Sequence, residues 1–206
     1  MEIKAFVSGM VETNSYVVSN DEGDCVIIDC ESPCDELCEY IDSKGLKPLF
    51  LLLTHGHFDH TGGAQKVREK YGLKIAAGVN EKPVFEGGRK SGAKFSKDSS
   101  VIEPDIYLND GDTISSGSLS FYIMNTPGHT AGSLCYVIED VIFSGDTLFL
   151  EDCGRCDLFS GSFEDMLKSL RRLKDMEGDY TVYPGHGPKT TLGHERCHNT
   201  YMNSEE

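Results

Sequence analysis

A polar segment that follows an apolar run without a break is the feature that most constrains this chain. Residues 49–53 are all Leu or Phe, and residues 54–60 then read T-H-G-H-F-D-H. A short apolar run of this kind is typical of a β-strand buried on both faces, and the loop after such a strand often carries functional side chains. The sequence therefore predicts an α/β fold with a functional loop that presents His55, His57, Asp59 and His60.

Three later segments repeat this arrangement, each with a single His or Asp beside glycine. His129 lies in T-P-G-H-T after an apolar run, and Asp146 lies in S-G-D-T directly after residues 141–143. His186 lies in Y-P-G-H-G, so the four segments together supply five His and two Asp. Imidazole and carboxylate groups suit zinc, iron or manganese, and this number of ligands suffices for two ions that keep positions open for water. We therefore expect two divalent metal ions.

The rest of the chain predicts the layers around this site. Short β-like runs at residues 3–8, 15–19 and 25–29 lead to a helix over 33–44 with Ser32 as its N-cap. Each half of the chain contains a series of strands and helices. This repetition predicts two β-sheets packed face to face with helices outside, in one domain over residues 1–206. In the second half, a helix that Ser162 caps is accompanied by strands near 105–108, 119–125, 133–138, 141–143 and 180–183.

Composition limits the kinds of molecule that this protein is expected to bind. The chain has 19 Lys and Arg against 34 Asp and Glu, and the formal net charge of −15 disfavours nucleic acid. Its apolar runs are too short to cross a bilayer and its first residues lack a signal sequence, so we expect a cytoplasmic protein that does not bind membranes. We expect a small-molecule substrate and a monomer or small homo-oligomer.

Eight cysteines without a secretory signal are expected to be reduced. Cys34 and Cys38 share one face of the predicted helix with apolar residues, and we interpret them as core residues. Cys153 and Cys156 have the spacing of a redox motif but do not open a helix, which leaves their role open. Basic residues within 86–100 predict either a solvated loop or a flap that attracts anions.

On these motifs the chain resembles the metallo-β-lactamase superfamily. The H-x-H-x-D-H signature of that family stands at residues 55–60, and its later ligands match His129, Asp146 and His186. The resemblance implies an αββα sandwich in which two mixed β-sheets pack face to face with helices outside. It also implies two metal ions, the first held by His55, His57 and His129 and the second by Asp59, His60 and His186, with Asp146 bridging them.

Local motifs are similar to one branch of this family, glyoxalase II, which is a hydroxyacylglutathione hydrolase. The motif G-D-T-L-F around Asp146 is followed by C-G-R at Arg155, where the basic residue of glyoxalase II binds a glutathione carboxylate. Arg155 is therefore a candidate substrate-binding residue, and an ion pair with Asp152 or Asp157 is the alternative. Pro188 stands where glyoxalase II has Tyr and few residues follow, so the resemblance is to the short, single-domain members.

This resemblance implies hydrolysis of a thioester. Two divalent ions, with zinc expected and iron or manganese as alternatives, would lower the pKa of a shared water to near neutrality and provide a nucleophile. Asp59 would also orient that nucleophile as a catalytic residue. A thiolate leaves readily without a general acid, and none is evident in the sequence.

Two other functions stay open at this point. An iron-dependent persulfide dioxygenase of the same superfamily would bind one iron and consume oxygen. Residues 194–198 read H-E-R-C-H, which fits the H-E-x-x-H motif of zinc proteases. Because little chain follows this motif to build a substrate cleft, we interpret it as the end of a surface helix.

Overall fold

Two six-stranded sheets form the centre of the computed structural model, which describes residues 1–86 and 102–204. The strands of the first sheet are β1 (Glu2–Ser8), β2 (Thr13–Ser19), β3 (Asp24–Ile28), β4 (Lys47–Leu52), β5 (Lys74–Gly78) and β6 (Ile106–Leu108). They lie in chain order, with an antiparallel meander from β1 to β3 and parallel pairing from β3 to β6. The three β-like runs predicted at the start of the chain are therefore the strands of this meander.

The second sheet is also mixed. Its strands are β7 (Thr113–Ser116), β8 (Leu119–Asn125), β9 (Leu134–Ile138), β10 (Val141–Gly145), β13 (Thr181–Pro184) and β14 (Thr190–Thr191). Their spatial order is β14-β13-β10-β9-β8-β7, and β10 pairs with β13 in parallel while the other neighbours are antiparallel. Between β10 and β13 the chain forms a small hairpin of β11 (Leu148–Phe149) and β12 (Asp152–Cys153).

Helices cover the outer face of each sheet. Leu37 of the first helix packs against the first sheet, Leu170 packs against the second, and Leu52 and Phe121 belong to the apolar layer between the sheets. These three apolar layers confirm the predicted αββα sandwich. No helix of the described ranges is long and apolar enough to cross a membrane. The helices are α1 (Asp35–Lys44), α2 (Phe58–Thr61), α3 (Ala64–Tyr71), α4 (Lys82–Glu86), α5 (Phe163–Lys174) and α6 (Leu192–His198).

Two predicted helix starts have different outcomes. Ser162 caps α5 as predicted, because its hydroxyl accepts a backbone N–H of the first turn at 3.2 Å. The predicted N-cap Ser32 is wrong: α1 begins at Asp35, after Cys34, whose side chain makes no capping bond.

Strand β4 is less buried than its apolar sequence predicts. Leu49 is 45% exposed, although the end of the strand is fully buried. Cys25 of β3 pairs with Pro48, and the next residue, Val26, pairs with Phe50. The pairing register of the two strands therefore shifts at this point and skips Leu49. Leu49 is therefore the extra residue of a β-bulge, which turns its side chain away from the core.

All eight cysteines lie in the described part of the chain and have free thiols. Cys34 and Cys38 are buried in the core beneath α1, as predicted. Cys153 and Cys156 are half-buried beside the core of the second sheet. The predicted basic cluster lies outside the described residues and comprises Arg89, Lys90, Lys94 and Lys97.

Candidate metal centre

The structure brings the seven predicted ligands together at one end of the two sheets. The loop after β4 carries two of them, α2 carries two more, and the others follow β8, β10 and β13. A backbone hydrogen bond from the Leu134 N–H to the Thr54 carbonyl joins the two halves of the fold beside this loop. The seven residues are His55, His57, Asp59, His60, His129, Asp146 and His186.

The first group consists of His55, His57 and His129. The candidate ligand nitrogens of these rings all lie within 4.8 Å of one another. Nδ1 of His57 and Nε2 of His129 are 2.8 Å apart. The rings are buried, and their planes meet nearly at right angles. This is the set that the family resemblance assigns to the first metal.

The second group consists of Asp59, His60 and His186, again with all ligand atoms within 4.8 Å. Nε2 of His186 lies 3.2 Å from Oδ2 of Asp59 and 3.4 Å from Nε2 of His60. The hydroxyl of Thr13 donates a hydrogen bond to the same Asp59 oxygen at 3.2 Å. This is the set that the resemblance assigns to the second metal.

Asp146 lies between the two groups. Its Oδ2 is 3.5 Å from Nε2 of His129, and its Oδ1 is 3.3 Å from Nε2 of His60. Oδ2 also lies 3.6 Å from Nε2 of His186, so this carboxylate is close to both groups. This is the position that a bridging ligand would need.

Backbone carbonyls outside the two groups fix the orientation of two of these rings. Nδ1 of His129 donates to the backbone carbonyl of Arg155 at 2.7 Å, and Nδ1 of His186 donates to that of Val11 at 3.1 Å. Holding one ring nitrogen as a donor leaves the lone pair of the other nitrogen directed into the site. The C-G-R segment around Arg155 therefore supports the centre through its backbone.

Asp29 is a buried carboxylate that the sequence analysis missed. It accepts hydrogen bonds from the backbone N–H and the hydroxyl of Thr54 at 2.8 and 2.7 Å, and it pairs with Nδ1 of His60 at 2.7 Å. It therefore links the loop after β4 to the second group. Its position directly after the apolar residues 26–28 of β3 is a signal that could have identified it.

Glu81 is a second missed residue. Its fully buried carboxylate accepts the Gly56 N–H at 2.8 Å through one oxygen and the Thr130 hydroxyl at 2.9 Å through the other. It thereby ties the loop that carries His57 to the loop that carries His129. No local pattern marks it, because it comes from a short 3₁₀ turn whose partners are distant in sequence.

The electrostatics of the two groups differ. Burial, assisted by the neighbouring rings, lowers the pKa of His57 to about 4 and that of His55 well below its usual range. Burial also opposes protonation of His60, but Asp146 and Asp29 outweigh it and raise its pKa. Nε2 of His55 and of His57 is buried without a hydrogen-bond partner. Neutral rings with free nitrogens are the form that metal ions bind, so the donor set fits divalent ions.

Glycine is required beside the most crowded candidate ligands. A Cβ on Gly185 would overlap Oδ1 of Asp146 and would lie 2.7 Å from a ring carbon of His60. A Cβ on Gly154 would overlap the backbone carbonyl of Asp146. These contacts explain the glycines that accompany the ligands in the sequence.

Comparison with known proteins assigns the family. The family model described as the metallo-beta-lactamase superfamily matches residues 9–186, which include both groups. The chain belongs to the metallo-β-lactamase superfamily.

Members of this superfamily match the chain over nearly its whole length. Hydroxyacylglutathione hydrolase GloC of Haemophilus influenzae is 32% identical, with 100% of both chains covered. The crystal structure of BLEG-1 B3 metallo-beta-lactamase has a TM-score of 0.92 at 32% identity and covers 98% of this chain and 100% of its own. The structure of TTHA1623 in a di-iron-bound form has a TM-score of 0.86 at 30% identity and covers 96% and 99%. These matches confirm the predicted fold and the resemblance to glyoxalase II-like members.

The H-E-x-x-H segment lies on α6 of this superfamily fold, apart from the two groups. The rings of His194 and His198 stack at 4.2 Å, and Nε2 of His194 pairs with Glu151 at 2.9 Å. Glu195 is fully buried and accepts hydrogen bonds from the Thr190 hydroxyl and the Glu151 N–H. Because the Glu195 carboxylate already accepts hydrogen bonds inside the protein, the structure agrees with the interpretation of this segment as the end of a surface helix.

A cavity of about 620 Å³ opens on both groups. Met10 and Val11 of the β1–β2 turn form part of its wall, and Phe149 and Leu158 form another part. Met10 is 93% exposed, which leaves its side chain free to contact a bound molecule. The site therefore combines polar groups at its floor with apolar side chains around its mouth.

Arg155 also lies in the wall of this cavity. Its guanidinium donates two hydrogen bonds to the Asp157 carboxylate, at 2.7 and 2.8 Å, and both side chains are exposed. The ion pair with Asp157 weighed in the sequence analysis is thus present. An exposed pair of this kind contributes little to stability, so an anionic substrate can replace Asp157 at low cost. Substrate binding by Arg155 stays a prediction.

Proposed function

We propose that this protein is a dinuclear-metal-dependent hydrolase of thioesters that resembles hydroxyacylglutathione hydrolase. The observation that carries the proposal is the pair of three-residue groups with Asp146 between them. The full-length similarity to GloC supports the thioester as substrate class. His55, His57 and His129 would hold one ion, Asp59, His60 and His186 would hold the other, and Asp146 would bind both.

Two divalent ions, when bound, would supply the positive charge that activates water and stabilises the oxyanion developing on the substrate. The His and Asp donors favour zinc, with iron or manganese as alternatives. Asp59 would accept a hydrogen bond from the attacking water and hold its orientation. The contacts of its Oδ2 with Thr13 and His186 fix the carboxylate for that role.

The cavity wall favours a leaving group that needs no proton. Among the described residues of this wall, every titratable side chain is either a proposed ligand or Arg155. A thiolate, whose conjugate thiol has a pKa of about 8.5, leaves without a general acid, whereas an amine requires one. The arrangement therefore favours a thioester over a lactam.

The substrate would combine an apolar part with an anionic end. Met10, Val11 and Leu158 offer apolar contacts near the reacting centre. The guanidinium of Arg155 offers a bidentate partner for a carboxylate at the edge of the same cavity. A peptide-like thiol such as glutathione, joined to a small acyl group, meets both requirements.

The direct test is hydrolysis of S-D-lactoylglutathione by zinc-loaded protein, followed as thiol release. We expect turnover that a chelator abolishes and that zinc restores. A β-lactam supplied to the same preparation should be hydrolysed far more slowly. His198→Ala serves as the matched control, since it removes an exposed histidine outside both groups.

Two outcomes would contradict the proposal. One is the absence of turnover of both anionic and neutral thioesters by protein that carries two metal equivalents. The other is a single iron per chain together with oxygen consumption on a glutathione persulfide, which would support a persulfide dioxygenase instead.

A further inference from the structure

Three thiols gather beneath α1, outside the proposed metal centre. A Cβ built on Gly63 would lie 2.7 Å from Sγ of Cys30 and 3.1 Å from Sγ of Cys34. Both sulfurs therefore lie against the same residue, which has no side chain. Cys38 follows one turn further along α1 and is also buried. The proposed hydrolysis uses none of the three.

We propose that Cys34 and Cys30 form a peroxide-reactive disulfide site, in which a small hydroperoxide oxidises Cys34 and Cys30 resolves the product. The two roles follow from access to the thiols. A cavity of about 270 Å³ is lined by Cys34 together with Ser15, Gly9 and Pro33, and Cys30 is not part of its wall. A water molecule takes up about 30 Å³ of liquid volume, so the cavity has room for a small hydroperoxide.

The surroundings of Cys34 favour its thiolate. It is the N-cap residue of the ten-residue helix α1, where the helix dipole stabilises negative charge. The Cys30 thiol and the Lys66 ammonium lower the pKa of Cys34 below its usual range, against the opposing effect of burial. Burial instead raises the pKa of Cys135 to about 11 and that of Cys153 to about 12, and the hydrogen bond with Cys34 together with burial raises the pKa of Cys30, so Cys34 is the thiol of the pair that forms a thiolate.

Glu31 offers a polar partner in the same cavity. It is 8% exposed, and its Oε2 has no hydrogen-bond partner. The wall of the cavity thus combines Cys34 with a buried carboxylate.

The chemistry balances with the hydroperoxide as the only oxidant. The Cys34 thiolate attacks the outer peroxide oxygen, the O–O bond breaks, and the released alkoxide takes up the proton that the thiol had lost, giving an alcohol and a sulfenic acid on Cys34. The Cys30 sulfur then attacks Sγ of Cys34, the S–O bond breaks, and the oxygen leaves as water with the Cys30 proton. Two thiols and one hydroperoxide become one disulfide, one alcohol and one water.

The site is coupled by backbone contacts to the proposed metal centre. The Cys30 N–H donates to the His60 carbonyl at 2.9 Å, and the Gly63 N–H donates to the Cys30 carbonyl at 2.8 Å. Asp29, which pairs with His60, is the preceding residue. A disulfide at Cys30 would therefore form next to the segment that orients His60.

The test is oxidation of the reduced full-length protein with tert-butyl hydroperoxide, followed by alkylation, digestion and mass spectrometry. We expect a cross-link between Cys30 and Cys34 with loss of two hydrogens. Cys34→Ser should slow the reaction of this cluster by roughly tenfold or more, because it removes the reactive thiolate. The matched control Cys38→Ser, on the same helix face, should still form the cross-link.

A second measurement does not depend on the folding of the Cys34 variant. Dimedone added during oxidation should label Cys34, and label should accumulate in Cys30→Ser, where the resolving thiol is missing. The proposal is overturned if both thiols remain alkylatable after oxidation. It is equally overturned if Cys34 joins Cys38 instead, or if dimedone labels other cysteines while Cys34 stays reduced. None of these readouts depends on hydrolase activity.

Discussion

Two histidine-rich segments of this chain share residue types but differ in their surroundings. In the segment at residues 55–60 the rings are buried, and their candidate ligand nitrogens lie within 4.8 Å of other candidate ligand atoms at the end of the sheets. In the segment at residues 194–198 the rings of His194 and His198 stack at the surface, and Nε2 of His194 is already paired with Glu151. Spacing alone therefore identifies possible ligands, while burial and the direction of the free nitrogen determine whether they converge.

The carboxylates of the two segments differ in the same way. Asp59 faces His186 at 3.2 Å, and its remaining contacts orient it toward the cavity. Glu195 is instead surrounded by donors of the protein interior, including Thr190 and Asn199. One carboxylate is available to a ligand, and the other stabilises the packing of α6.

Removing the bridging carboxylate should have the largest effect. We expect Asp146→Ala to lower turnover by roughly 10³-fold or more and to reduce bound metal at the same time, because both groups lose a shared ligand. Metal content would be measured by inductively coupled plasma mass spectrometry beside the thioesterase assay. His198→Ala should leave both quantities unchanged. Full turnover with two metal equivalents in the Asp146 variant would refute the proposed bridge.

The Asp29→Asn variant tests whether the contact between Asp29 and His60 supports the proposed metal centre. The amide cannot match the charge that holds Nδ1 of His60, so we expect metal affinity or activity to fall about 10- to 100-fold. Competition with a chromogenic chelator would measure the affinity. An unchanged affinity in a folded variant would show that Asp29 has a purely structural role in the Thr54 loop.

Arg155→Ala should act on substrate binding. Its side chain is exposed while its backbone carbonyl holds His129, so we expect a roughly tenfold rise in KM for anionic thioesters with kcat and metal content nearly unchanged. Asp157→Ala, which frees the guanidinium, should lower the same KM. An equal loss with neutral and anionic thioesters would exclude the anchoring role.

Glu195→Gln should have the smallest effect on the metal centre. The amide cannot accept all the hydrogen bonds that Glu195 accepts, so we expect the free energy of unfolding to fall by about 1–3 kcal/mol. Urea unfolding would measure this change. Activity per folded molecule and metal content should stay the same, and a loss of metal would revive the zinc-protease interpretation of this segment.

The sequence was sufficient to place the candidate ligands because they follow strands directly. His55, Asp146 and His186 each come within a few residues of a strand end, and the strands converge at one end of the sandwich. Glycine at Gly185 leaves the space that Asp146 requires. At these residues the local sequence pattern therefore indicates the position of the side chain in the fold.

Residues that act through distant partners were not predictable in this way. Asp29 and Glu81 contact loops that lie 25 or more positions away in sequence, and no local pattern encodes those contacts. The sequence therefore did not predict the residues that support the site through long-range hydrogen bonds.

The central claim is that the buried segment, and not the surface segment, holds two metal ions. Anomalous diffraction at the zinc edge, from crystals of the zinc-loaded protein, would test it directly. We predict two peaks, one beside His57 and His129 and one beside Asp59 and His186, with Asp146 between them. A peak at His194 and His198, or fewer than two peaks in the cavity, would contradict the claim.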